Sequence, residues 1–73
     1  MSSRADWARA DWSGRMAGRR ARALSPAARE RHAATIKRWV ASQRRAYRAA
    51  GPWAAHGYAY ARTYASAWER AAR

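Results

Sequence analysis

The sequence predicts an all-α fold, a small three-helix bundle or an open helical array. Three observations carry this expectation: abundant alanine, the best helix former; no segment with the β-branched alternation of a half-buried strand; and two helix-breaking junctions that divide the chain into thirds. Ser25-Pro26 offers an N-cap followed by proline at the first helical position, and Gly51-Pro52 offers a stop 25 residues later. Helix 1 is expected over about 3–23, helix 2 over about 26–50 and helix 3 over about 53–71, in a single domain. Connections of two or three residues favour antiparallel neighbours.

A chain of 73 residues forms a small domain, and its core must be thin. Met1 aside, its larger aliphatic side chains are Met16, Leu24, Ile36 and Val40, so alanine and the nine aromatics do most of the packing. No cysteine is present to supply a disulfide or a thiolate metal site. The N-terminal residues lack the apolar stretch of a secretory signal. The longest charge-free run, Ala49 to Ala61, contains Gly51, Pro52 and Gly57 and falls short of the ~20 apolar residues of a membrane span. A cytoplasmic location, or one inside a virion or nucleoid, is expected.

The net charge of +12 is distributed unevenly. Residues 1–14 balance Arg4 and Arg9 against Asp6 and Asp11, whereas residues 15–48 carry eleven cations against Glu30 alone. In a compact molecule such a surplus repels itself unless a polyanion neutralises it. A genome rich in G and C would favour Arg over Lys, but not the near-absence of acidic residues.

Helix 1 opens on the tandem Arg4-Ala5-Asp6-Trp7-Ala8 and Arg9-Ala10-Asp11-Trp12-Ser13. A five-residue step turns a helix through 500°, leaving Trp7 and Trp12 about 140° apart and on different faces. Trp7, Ala10, Gly14, Ala17, Ala21 and Leu24 form one ridge, mostly of small residues; Ala5, Trp12, Met16 and Ala23 lie opposite. Gly14 and Gly18 have the small-xxx-small spacing that lets helix backbones approach closely, here against helix 2 or 3. Apolar residues on both sides point to a second surface, met by another copy or another protein. Arg15, Arg19, Arg20 and Arg22 sit near the C-terminal end, where they suit the helix dipole and widen the basic surface.

Helix 2 is amphipathic. His32, Ala33, Ile36, Trp39, Val40, Gln43, Tyr47 and Ala50 recur at helical spacing and are expected to face inward. Arg31, Lys37, Arg38, Arg44, Arg45 and Arg48 collect on the other side, with Arg31, Arg38 and Arg45 seven apart, ~10.5 Å per step. Guanidinium groups suit phosphates because each planar fork gives two parallel hydrogen bonds and keeps its charge. Most charge runs on helices are solvated faces, but those usually mix signs. Arg29 falls near the inward side, where its stem would have to snorkel outward.

On helix 3, Trp53, Tyr60, Tyr64 and Trp68 share one face with Gly57 between them, an aromatic stripe read first as core. Tyr58 lies off the stripe and is the candidate for an exposed base-stacking contact.

Catalysis is not expected: four scattered carboxylates and the isolated His32 and His56 provide no acid–base pair, and no phosphate loop or nucleophile elbow occurs. No cofactor or metal ligand set is present either. The expected function is therefore nucleic-acid binding, DNA or RNA, with backbone contacts through Arg15, Arg19, Arg20, Arg22, Arg31, Lys37, Arg38, Arg44, Arg45 and Arg48. Such a protein would be a self-associating packaging or architectural one, with Trp7, Trp12, Met16, Ile36, Trp39, Val40, Tyr47, Trp53, Tyr60, Tyr64 and Trp68 as packing or oligomer contacts. The alternatives are a cationic, tryptophan-rich membrane-active peptide of the leaderless-bacteriocin kind, acting on anionic lipid, and a basic subunit of a larger ribonucleoprotein or capsid.

Overall fold

A computed structural model describes residues 4–73. The chain is all-α: α1 spans Arg4–Arg22, α2 Pro26–Ala50 and α3 Ala55–Ala72, with a 3-10 turn, Gly51–Ala54, between α2 and α3. Ser3, the expected first residue of helix 1, lies outside the described residues.

Local chemistry sets the junctions. At the end of α1 the backbone N–H groups of Ala23 and Leu24 bond back three residues, to Arg20 and Ala21, tightening the last turn. Ser25 then caps α2: its extended backbone (φ −61°, ψ 155°) aims its hydroxyl oxygen at the Ala28 N–H, at 3.2 Å, and Pro26 follows in the first turn. At the other end Gly51 takes φ +65°, and its N–H bonds to the Tyr47 carbonyl. Glycine enters this left-handed region without the penalty a Cβ would bring.

Helix 3 departs from expectation at its start. Pro52 and Trp53 belong to the 3-10 turn and α3 begins only at Ala55, so Trp53 is out of register with the aromatic stripe and stands 94% exposed. Tyr60, Tyr64 and Trp68 keep their places on α3, where Tyr60 and Tyr64 are half-buried and Trp68 is buried.

The helices are ordered α1, α3, α2 in space. α1 and α3 make the most extensive contact, α2 packs against α3 less extensively, and α1 and α2 scarcely meet. Paired residues give the directions: Trp7 against His56, Gly14 against Tyr64 and Gly18 against Trp68 make α1 parallel to α3. Gln43 against Gly57, and Trp39 against Tyr64, make α2 antiparallel to α3. The chain-neighbour hairpin of helices 1 and 2, expected from their short connection, is thus opened by α3. Three helices at the usual spacing need about 14 Å of width when closed into a triangle and about 23 Å side by side. The Cα atoms extend over 38 × 24 × 11 Å, the breadth of an open, side-by-side arrangement.

The reason lies in the seam of small residues on α1. Ala10, Gly14, Gly18 and Ala21 are its buried residues, and each helical glycine costs roughly 1 kcal/mol of helix propensity. Close backbone contact offsets that cost. A Cβ on Gly14 would overlap the Tyr64 carbonyl oxygen, and one on Gly18 would stand 2.5 Å from the Trp68 carbonyl oxygen and 2.8 Å from the Ala71 methyl. Only glycine admits an approach in which Cα–H groups face carbonyl oxygens across the helix pair. α3 answers with the buried Ala61, Ala67 and Ala72. Among the described residues Trp68 is the one large buried side chain, packed with Ala21 and Ala72 and flanked by Ala17, Ala33, Ile36 and Tyr64.

α2 buries no residue completely. Of its expected inward face, Ala33, Ile36, Trp39, Val40 and Gln43 are half-buried, while His32, Tyr47 and Ala50 remain exposed. α3 and the 3-10 turn lie against that stripe from one side only, which leaves none of it fully enclosed. Trp39 meets Tyr64 edge-on with centroids 5.5 Å apart. On α1, Trp7 and Met16 are half-buried, Trp7 resting on His56 at 5.2 Å, whereas Trp12 is 58% exposed.

Candidate nucleic-acid interface

The α2 side that carries Ala33, Ile36, Trp39 and Val40 faces α3, so by helical phase Arg31, Arg38 and Arg45 point away from the rest of the molecule. Lys37, Arg44 and Arg48 flank them, and all six side chains are exposed. From Arg31 to Arg45 the ridge is ~21 Å long. Its six cations can each meet one phosphate, about six in all.

The ridge residues have little internal competition. The ion pairs among the described residues are Arg15–Asp11 and Arg70–Asp11, neither on α2. The Arg38 guanidinium donates to the Thr35 hydroxyl at 3.2 Å, and that hydroxyl donates to the Arg31 carbonyl at 3.1 Å. This short chain anchors one edge of a fork whose other N–H groups face solvent. Arg29 is half-buried, as its phase requires, beside Ala33, Trp68 and Ala72.

Arg15, Arg19, Arg20 and Arg22 are exposed on α1, but they do not continue the ridge, because α3 stands between their helix and α2. Arg15, Arg19 and Arg22 instead line a groove of about 420 Å³ with Arg70 of α3, over a floor of Ala67 and Ala71, with Asp11 on its wall. Arg70 was not singled out by its sequence; it sits in a nearly neutral segment, and only the pairing of α1 with α3 brings it to the other arginines.

Tyr58 is not the free ring that its off-stripe position predicts. It is half-buried, stacked on Tyr47 with centroids 5.6 Å apart, with the Arg62 guanidinium 5.5 Å from its centroid. The short turn between α2 and α3 brings the C-terminal end of α2 to the N-terminal end of α3, as the antiparallel expectation implies, and there Tyr47 covers the Tyr58 ring. Trp53 is the freely exposed ring instead.

Among the described residues, no group of three or more His, Cys, Asp or Glu side chains is placed to hold a metal ion, and no helix is long and apolar enough to cross a membrane. Compared with protein families, curated proteins and solved structures, the chain matches none.

Proposed function

We propose that this protein binds nucleic acid through the outward ridge of α2, mainly by backbone contacts and with little sequence preference, as a packaging or architectural component. The observation that carries the reading is the register of Arg31, Arg38 and Arg45, exposed and turned away from α3 on a chain of net charge +12. Guanidinium forks at this spacing give bidentate hydrogen bonds to phosphate oxygens along one strand. Among the described residues no ion pair involves them, so binding releases condensed counterions from the nucleic acid without first breaking such a pair. The half-covered α2 stripe and the exposed Trp12 supply apolar surface for self-association on the polyanion.

The test is a titration against duplex DNA, single-stranded DNA, RNA and anionic vesicles at several salt concentrations. Six neutralised phosphates give a slope of log K against log salt near −5 on duplex DNA. A flat salt response overturns the reading. The exposed Trp53 favours the membrane-surface alternative to one extent only: interfacial tryptophan beside arginine binds anionic lipid. Dye release from the vesicles without any shift of DNA would select that alternative.

A further inference from the structure

The groove between α1 and α3 differs from the ridge in being concave and built by two helices. The close backbone approach at Gly14 and Gly18 brings α1 and α3 near enough for arginines of both to converge over small alanines. Arg15, Arg19 and Arg22 follow an i, i+4, i+7 pattern along one flank of α1, and Arg70 closes the site from α3.

Asp11 shows what this constellation accepts. One of its carboxylate oxygens takes a hydrogen bond from Arg15 at 2.9 Å and the other takes one from Arg70 at 3.5 Å. A carboxylate of this chain thus already bridges guanidiniums from two helices. It satisfies them incompletely: the Arg70 contact is at the limit of a hydrogen bond, and among the described residues Arg19 and Arg22 have no carboxylate partner. Four guanidiniums against one carboxylate leave a net surplus of three positive charges in the groove. A phosphodiester offers two non-bridging oxygens, as Asp11 does, but a nucleic-acid backbone brings several in succession, so that one can engage Arg19 and Arg22 while its neighbour draws Arg15 and Arg70 from Asp11.

We propose that this groove is a second phosphate-binding site and that it takes the phosphodiester backbone of a second nucleic-acid segment, so that one molecule links two segments. The proposal rests on the reading of the α2 ridge as the first such site. Its geometric basis is the order of the helices: α3 separates the groove helix α1 from the ridge helix α2, and the ridge points away from α3. Two separated cationic surfaces on one rigid scaffold make the molecule bivalent without a dimer.

The experiment uses full-length protein, a duplex fixed to beads and a second, labelled duplex free in solution, with single-duplex affinity measured in parallel by fluorescence anisotropy and oligomeric state by sedimentation. Wild-type protein is expected to capture the labelled duplex. The Arg15→Gln/Arg19→Gln/Arg22→Gln variant is expected to need about tenfold more protein for capture while its single-duplex affinity stays within about threefold. Asp11→Asn, which removes the competing carboxylate, is expected to lower the protein needed for capture, an outcome that misfolding does not produce. Undiminished capture by the triple variant, or weakened capture by Asp11→Asn, overturns the proposal. Wild-type protein that binds a duplex but captures no second one overturns the bridging site and leaves the ridge standing; wild-type protein that binds no duplex overturns both. Pyrophosphate at matched ionic strength is the free-phosphate arm. If it raises the melting temperature of wild-type protein but not of the triple variant, and wild-type protein captures no second duplex, the groove is a small-phosphate site and the bridging proposal falls.

Discussion

The Cα of Gly18 lies against the main-chain carbonyl of Trp68, so near that a methyl group built there would stand 2.5 Å from the oxygen. This contact, repeated one turn earlier between Gly14 and Tyr64, joins the N-terminal and C-terminal helices and makes α3 the spine of the molecule.

Leucine at position 18 or 14 has backbone in its way rather than a movable side-chain tip, so α1 must shift off α3. Gly18→Leu and Gly14→Leu are each expected to destabilise the fold by about 1–3 kcal/mol. Gly57→Ala is the contrast: the added methyl meets the end of the flexible Gln43 side chain, which can swing away. Its helix-propensity gain, up to about 1 kcal/mol, should make it neutral or stabilising. Urea denaturation followed by circular dichroism ranks the three; unchanged midpoints for both leucine variants would contradict the seam.

Ser25 caps α2 with its hydroxyl, whereas Ser42 is exposed within the same helix. Ser25→Ala should cost about 1 kcal/mol, while Ser42→Ala should be neutral or slightly favourable because alanine is the better helix former. Thermal melts of the two variants check the difference, and equal melting temperatures would remove the cap from the account.

The tryptophans separate by role. Trp68 is 7% exposed and Trp53 94% exposed. Trp68→Ala is expected to cost about 3–5 kcal/mol, enough to unfold so small a core, and Trp53→Ala to stay within about 0.5 kcal/mol. Iodide quenching of tryptophan fluorescence supplies an independent reading, since loss of Trp53 should remove a large part of the quenchable signal. Wild-type-like quenching in Trp53→Ala would mean that this ring is covered in solution.

On the ridge, Arg31→Gln/Arg38→Gln/Arg45→Gln removes three phosphate contacts and should flatten the slope of log K against log salt by about 2.7 on duplex DNA. Helicity should not change, because these side chains point away from the core. A slope equal to wild type would place the phosphate contacts elsewhere.

What the sequence determined by itself was local. Ser25-Pro26 and Gly51-Pro52 specify the ends of α2 because capping and left-handed backbone depend on a residue and its near neighbours. The 3.6-residue period likewise puts Arg31, Arg38 and Arg45 opposite the stripe of Ile36, Trp39 and Val40, whatever that stripe packs against. Periodicity says which face is apolar and is silent on which partner covers it. The tertiary structure alone decided that α3 would lie between the two helices that precede it, that Tyr58 would be covered by Tyr47, and that Arg70 would join Arg15, Arg19 and Arg22 across a groove. The physical reason is the contact of glycine with main chain between residues some fifty positions apart, from Gly14 to Tyr64 and from Gly18 to Trp68. Such contact depends on how closely two backbones fit, a property of the assembled pair rather than of either helix alone.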